Sequence, residues 1–397
     1  MINIESFALS AYSIKDSTRA ANSQGFKRET PTIFAIFYLT TIVFFLIFLS
    51  GQSYAESNSV TLTQFGVENL GMADQSGPSS ANNAINQLQA GINNSSEATQ
   101  VNGTSDSSIK HLQIGIENNA LPLSQDNSTA VHMEIIQSGT QNGSASIQQN
   151  STGSRGLLHQ AGRTNIVNFL QLDSTYDQAI IFQQGFSNNS ATNQIRNSYS
   201  NMLVTQFGSS NMASNFQVES SHSSIQVVQH GTLNHSITAQ QDDPYGRIFI
   251  IQQGDNNFSN ILQFNGSNNI GTIIQSGSEN SSIVFQSGTS YSTAKISQTG
   301  LLNMLSAQQI GFSNDFAIIQ IGTENNTGIL QDGDNLSVDI LQLGALNTVS
   351  AEQSGNLNRA HISQQGVANN HELSQSASNN FAIALQSGIG NYGSISQ

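Results

Sequence analysis

Glutamine returns at fixed intervals along most of this chain, and a period that strict leaves few folds open. From Gln298 the positions Gln309, Gln320, Gln331, Gln342, Gln353, Gln364, Gln375, Gln386 and Gln397 follow in nine steps of 11 residues. Upstream, Gln171, Gln183, Gln194, Gln206, Gln217, Gln229, Gln240, Gln252, Gln263, Gln275, Gln286 and Gln298 alternate between steps of 12 and 11, a unit of 23. The series reaches back to Gln64. It is looser between Gln75 and Gln160, where it is read through Gln87, Gln100, Gln113, Gln125, Gln137 and Gln149, and it totals 30 registers. Self-similarity at a short fixed period marks a stack of units, each burying its apolar face against its neighbours.

Inside a unit the pattern has period two. In an extended chain the side chains two, four and six before each Gln share its face. These are Ala351, Val349 and Asn347 before Gln353, and Ile362, Ala360 and Asn358 before Gln364. Before Gln286 they are Val284, Ser282 and Asn280, and before Gln229 they are Val227, Ile225 and Ser223. One face therefore reads Asn or Ser, small or apolar, apolar, Gln. A Gly commonly stands two places after the Gln, as at Gly277, Gly300, Gly311, Gly322, Gly333, Gly344, Gly355, Gly366 and Gly388. Gly admits the positive φ that tight turns require, so each unit is expected to be a strand of about seven residues and a turn of about four.

Two such units make one coil. The fold expected is an all-β solenoid of stacked strand-turn-strand repeats, cross-β-like, with about 15 rungs spaced 4.7–4.8 Å and a length of roughly 70 Å. Each Gln then faces a Gln one rung above and one below. An amide both donates and accepts, so a buried column of them can satisfy itself. The same holds for Asn, including Asn211 and Asn280. The residue just before the Gln faces outward and is often large and apolar, as at Leu170, Phe182, Ile251, Leu262, Ile274, Phe285, Ile319, Leu330, Leu341 and Leu385. Two readings stand: a lateral contact surface, or residues chosen as strand formers.

The composition agrees with a laddered polar core and excludes much else. Charged residues are 9%, Cys and Trp are absent, and the net charge is −14. No disulfide scaffold or thiolate metal site is possible. A nucleic-acid partner is not expected from a chain with no basic stripe. One segment stands apart: Ile33–Leu49 is an uncharged apolar run, with Lys27 and Arg28 before it and Ser53-Tyr54-Ala55 after it. It reads as an export signal cleaved after Ala55, or as an uncleaved anchor at the short edge for a membrane span. The chain divides at that point into 1–55 and a repeat region 56–397, degenerate at 75–160 and most regular at 171–397.

The unit Gln-x-Gly-x-x-Asn-x-x-x-x-x-Gln resembles the curlin repeat. Gln64-Phe65-Gly66 with Asn69 and Gln75, Gln206-Phe207-Gly208 with Asn211 and Gln217, and Gln275-Ser276-Gly277 with Asn280 and Gln286 carry the resemblance. The Ser-x5-Gln half-unit recurs from Ser223 to Gln229 and from Ser292 to Gln298. The resemblance covers about residues 60–397 and implies a secreted subunit of curli-type amyloid fibres, used in biofilm matrix and adhesion on a bacterial surface. Its implied partners are other copies of itself, other curlin subunits and secretion or assembly factors. The chain departs from that family in having many more repeats. It also departs in the short stretch between Ala55 and the first repeat, where subunits of that family carry a secretion-targeting segment.

The last residue, Gln397, is itself a ladder position. A solenoid without a polar cap offers its open edge as a template. Asp173, Asp177, Asp242, Asp243 and Pro244 read either as gatekeepers against uncontrolled pairing or as ordinary turn residues. No chemistry is expected. There is no Gly-x-Ser-x-Gly elbow and no phosphate-binding loop, and His371-Glu372 lacks the second His of a zinc-protease helix. Asp332, Asp334 and Asp339 lack calcium-loop spacing and read as solvated charges. No catalytic residue, cofactor or metal is expected. The competing reading is a membrane-anchored monomeric β-solenoid adhesin held through residues 33–49.

Overall fold

The computed structural model describes residues 57–397, and among them there is no helix. Thirty strands alternate between two parallel sheets of 15 strands each, odd-numbered strands in the first sheet and even-numbered strands in the second. Ser59–Val67 and Leu70–Ser76 form the first coil, and Phe381–Ile389 and Tyr392–Ser396 the last. The result is a β-solenoid of about 15 turns, as the period requires. The apolar run Ile33–Leu49 and the expected cleavage after Ala55 lie outside the described residues.

Glutamine pairs with glutamine at every rung. In the first sheet Gln206, Gln229, Gln252, Gln275 and Gln298 are successive partners, as are Gln320, Gln342, Gln364 and Gln386. Two positions of the looser stretch need correction. The partner of Gln64 and Gln113 is Gln89, not Gln87. The partner of Gln125 and Gln171 is Gln148, not Gln149. Gln87 points inward two places early and donates to the Met72 carbonyl at 2.9 Å. Gln149 points outward and donates to Asp126 Oδ2 at 3.2 Å. A strand with two Gln offers two registers, and neighbouring coils choose between them. Gly91 and Asn94, two and five places after Gln89, were the signal that could have found the first.

The two corners of each coil differ. The front corner, from first sheet to second, leaves two residues outside the strands throughout, as at 210–211 between Asn201–Ser209 and Met212–Val218. Its Gly lies within the nine-residue strand that precedes it, so the expected four-residue turn is shorter and the strand longer. The back corner holds five residues in the 23-residue coils, as at 219–223. It contracts to the two-residue form after the strand Ser281–Ser290, where a bulge between Ser287 and Ser290 absorbs the change of period. From there both corners are alike as far as 376–380, where Ala377 takes the place of Gly and the strand stops at Gln375.

Between the sheets the inward side chains two and four before each Gln form the core, mostly apolar on the first sheet and mixed on the second, where Ser144, Ser146, Ser190, Thr192, Ser236 and Thr238 are buried among them. Ile225 and Val227, Ile248 and Ile250, Phe316 and Ile318, and Val338 and Ile340 are fully or almost fully buried. Each such side chain contributes roughly 1.5–3 kcal/mol by leaving water. Large residues on one sheet meet small ones on the other. A Cβ on Gly156 would lie 2.5 Å from the Phe169 ring, and one on Gly271 would lie 2.7 Å from Ile261 Cγ2. The core is at most two apolar residues deep per strand, so the polar columns at its margins carry a large share of the order.

Candidate functional site

The chemistry of this molecule lies in columns that run its whole length. Two are glutamine. In the first sheet Nε2 of Gln206 donates to Oε1 of Gln229 at 2.8 Å, Gln229 to Gln252 at 2.8 Å, Gln252 to Gln275 at 3.0 Å and Gln275 to Gln298 at 2.8 Å. The bonds continue through Gln320, Gln342 and Gln364 to Gln386. In the second sheet Gln217, Gln240, Gln263, Gln286, Gln309, Gln331, Gln353, Gln375 and Gln397 form the matching column at 2.7–3.0 Å. The other amide hydrogen crosses the coil. Gln206 Nε2 reaches the Asn189 carbonyl at 2.9 Å, and Gln275 Nε2 reaches that of Phe258 at 2.8 Å. A carbonyl can only accept, so these cross-bonds fix the amide orientation and hence the direction of the column.

A third column lines the front corner. Asn188, Asn211, Asn234, Asn257, Asn280 and Asn303 stack so that each Oδ1 accepts both the next backbone N–H at 3.1–3.2 Å and the next Nδ2 at 2.9–3.1 Å. The backbone N–H can only donate, which fixes this direction too. It is opposite to that of glutamine: Gln donates toward the C-terminal coil, and Asn donates toward the N-terminal one. The side-chain dipoles of the Asn column therefore oppose those of the two Gln columns.

The glycines complete the front corner. Gly277 has φ +115°, and a Cβ there would collide with the Gly300 carbonyl oxygen of the next coil. Gly300, Gly322, Gly344 and Gly366 meet the same obstacle in turn, as do Gly311 and Gly333 in the back corner. Gly355 is less confined, with the Ala377 carbonyl oxygen 3.0 Å away, and Gly388 lies in the last coil with only Asn391 near it.

The back corner does the same work with mixed side chains. Ser154 Oγ accepts from the Asp177 N–H at 3.1 Å, Asp177 Oδ1 from the Ser200 N–H at 2.8 Å, and Ser200 Oγ from the Ser223 N–H at 3.3 Å. Two carboxyls are fully buried here. Burial pushes Asp177 up to about 6, and its Oδ2 has no partner. Burial pushes Asp243 up to about 7; its Oδ1 accepts from Asn269 Nδ2 at 3.0 Å. Its Oδ2 lies 3.1 Å from Gln263 Oε1. Turning the Gln263 amide would give the carboxylate a donor. It would also set that nitrogen 2.9 Å from Gln240 Nε2 and the oxygen 2.8 Å from Gln286 Oε1, breaking two ladder bonds. A proton on Asp243, donated to Gln263 Oε1, satisfies every group, so this geometry favours the neutral acid, in the same direction as its burial.

Asp173, Asp242 and Pro244 lie on the outside of the same corner, while Asp177 and Asp243 are inside it. Outside them runs a feature that the glutamine period did not announce. Tyr176, Tyr199, His222 and Tyr245 stack with ring centroids 5.0–5.2 Å apart and planes within about 21°. Their 23-residue spacing was the available signal. Asp332, Asp334 and Asp339 are not brought together: the first two lie on Asn326–Asp334 of the second sheet and the third on Ser337–Ala345 of the first. Among the described residues no three His, Asp or Glu gather as a metal set. His371 turns into the core, and its neighbour Glu372 turns out to solvent. Of the outward apolar residues, Ile274, Ile319 and Leu385 are exposed and the other seven are half-buried.

The fold and columns define a parallel β-solenoid held by continuous amide ladders. Residues 333–366 match the family model of the curlin associated repeat, from Gly333 through Gly344 and Gly355 to Gly366. This chain thus carries the curlin repeat, and its other coils keep the same columns. No curated protein matches it.

Proposed function

We propose that this chain is a structural subunit of an extracellular curli-type amyloid fibre on a bacterial surface, contributing to biofilm matrix and adhesion by stacking copies end to end. The observation that carries the reading is the direction of the columns at the two outermost coils. Among the described residues, no strand lies beyond the first coil or the last. At the last coil Gln386 Nε2 donates to the Asn370 carbonyl at 2.9 Å, and its ladder hydrogen has no acceptor among the described residues. At the first coil Gln64 Oε1 accepts from no described residue, although Gln64 Nε2 donates to Gln89 at 2.6 Å. A second copy in the same orientation sets Gln386 beneath Gln64, Gln397 beneath Gln75 and Gly388 beneath Gly66. Donor then meets acceptor and the ladder crosses the joint. A reversed copy sets donor against donor.

The test is to dilute residues 56–397 from denaturant and follow thioflavin T, fibre diffraction and seeding. Fibres with a meridional spacing near 4.7 Å that seed fresh protein are expected. A soluble β-rich monomer that never seeds, even on fibres of another curlin, overturns the reading in favour of an anchored solenoid adhesin. No helix among the described residues is long and apolar enough to cross a membrane; the segment such an anchor would use lies outside them.

A further inference from the structure

The aromatic stack on the back corner contains one pair of tyrosines in direct contact. Thr175 and Ser198 are bridged partners, and the Tyr199 N–H donates to the Thr175 carbonyl at 2.9 Å, so Tyr176 and Tyr199 stand one rung apart in register. Their rings stack with centroids 5.2 Å apart and planes 20° from parallel. On one side of the pair lies Gly153, where a Cβ would collide with the Tyr176 ring. On the other side His222 stacks on Tyr199 at 5.2 Å and on Tyr245 at 5.0 Å. The two phenols are thus held face to face while remaining open to water, with Tyr176 51% and Tyr199 53% exposed.

Among the described residues no other two tyrosines stack. His222 separates Tyr199 from Tyr245, and Tyr291 packs against the edge of Phe312. Tyr392, in the last coil, donates to Glu372 at 3.2 Å. The backbone gives a ring no local advantage in this column. Tyr176 and Tyr199 both have φ +56°, a left-handed conformation that disfavours bulky side chains. Other rungs of the column hold Asn82, Asp106, Ala130, Gly153 and Asn268. Rings on consecutive rungs against that preference point to a role beyond the fold. The chain also has no Cys and no Trp to compete with Tyr for one-electron oxidation, and Met is oxidised by taking up oxygen instead.

We propose that Tyr176 and Tyr199 form an oxidative cross-linking site, at which a haem peroxidase and hydrogen peroxide join them as a dityrosine. Each phenol gives up one electron and its hydroxyl proton, leaving a phenoxyl radical with spin on the ring carbons beside the oxygen. One such carbon of each ring forms the new carbon–carbon bond. The hydrogen that carbon carried then moves to the oxygen as a proton and restores the phenol. In all the pair loses two electrons and two protons, which reduce one hydrogen peroxide to two waters. The stack supplies the proximity that makes coupling within the pair faster than coupling between chains. The bond spans 23 positions and ties together the two corners that flank the sixth coil, Gln178–Phe186 and Asn189–Ile195. It restricts the opened chain as a disulfide does in chains that have Cys. A solenoid opens coil by coil, so the staple stops opening from passing that coil. The link lies within one copy and forms whether or not copies stack end to end.

The test treats the dilute full chain with hydrogen peroxide and a haem peroxidase, and reads dityrosine fluorescence and the masses of tryptic peptides. The expected product joins peptide 164–196 to peptide 197–247, two hydrogens short of their sum, with fragment masses placing the bond at Tyr176 and Tyr199. Tyr176→Phe and Tyr199→Phe keep a ring in the stack, and each should lower the yield of that product by about tenfold or more. His222→Tyr makes Tyr199 and Tyr245 neighbours of a third phenol and should raise total dityrosine about twofold. The cross-linked chain should unfold in denaturant about tenfold more slowly than the untreated one. Links spread over all the tyrosines, as expected of the chain oxidised in denaturant, overturn the proposal. So does a yield that survives Tyr199→Phe, a yield that His222→Tyr leaves unchanged, or a cross-linked chain that unfolds at the untreated rate.

Discussion

The 23-residue coils up to Gln286 and the 22-residue coils that follow solve one problem in two ways. Each must turn the chain at the back corner without leaving buried N–H groups unpaired. The longer coils use five residues and a mixed inner column of Ser, Asp and Asn; the shorter ones use a Gly within the strand and two residues outside it. The long corner accepts many residue types but admits buried carboxyls and carries an aromatic stack. The short corner accepts almost none, because the carbonyl of the next coil occupies the space of a Cβ. At 376–380, where Ala377 stands in the Gly position, the chain reverts to the five-residue form. Regularity in this molecule thus comes from steric intolerance, and tolerance from one extra residue per coil.

The sharpest way to break the comparison is to place a Cβ where the short corner forbids one. Gly311→Ala or Gly333→Ala should cost more than about 3 kcal/mol, since backbone must shift in two coils. Gly288→Ala, with open space but φ +62°, should cost only about 1 kcal/mol. Denaturant midpoints of the full chain compare the two. If Gly333→Ala proves as mild as Gly288→Ala, the steric account fails.

Next in size is the ladder, common to both regions. Gln229→Leu strands a donor on Gln206 and an acceptor on Gln252, which should cost about 2–5 kcal/mol. Gln397→Leu, at an exposed position with one ladder partner in Gln375 and an exposed bond to the Phe381 carbonyl, should cost under about 1 kcal/mol. Equal losses in denaturant melts would show that the columns are not continuous in energy.

The buried acids should give the long coils a pH response of their own. Asp243 is raised in the fold, so the unfolded chain loses that proton first, from pH near 4, while the fold keeps it to about 7. Stability therefore falls as pH rises from about 4 to 7 and is level above. Asp243→Asn should remove that fall and leave the chain more stable by a few kcal/mol at pH 8 than the wild type. Asp177, raised to about 6, acts in the same sense and more weakly. His111, held down to about 4 by burial, has the opposite sign: its contribution is lost as pH falls below 6.5. The difference between wild type and Asp243→Asn across pH 4–8 isolates the carboxyl, and a difference independent of pH would refute its protonation.

The smallest effect concerns the outer surface of the long corner. Tyr199→Ser removes two ring contacts, with Tyr176 and His222, and should lower stability by about 0.5–1.5 kcal/mol. A thermal midpoint unchanged by it would make the stack a consequence of the repeat and not a contributor.

What the sequence determined by itself was the period and everything that follows from period two: an all-β solenoid, about 15 coils, an inward face that reads Asn or Ser, small or apolar, apolar, Gln. Those are local properties, because alternation in an extended chain is a matter of backbone geometry. The tertiary structure decided what depends on the next coil. It chose Gln89 over Gln87 and Gln148 over Gln149, because only pairing distinguishes two inward or adjacent amides. It moved Gly322 and Gly344 from loop into strand, because their constraint is a carbonyl 22 residues away and not a local turn. It set Asp243 against Gln263, 20 positions on in sequence, and so gave a carboxyl its proton. Stacking brings together residues one coil apart, and that distance changes from 25 to 22 along the chain. Period alone therefore names the columns, and the neighbours across coils name what each column does.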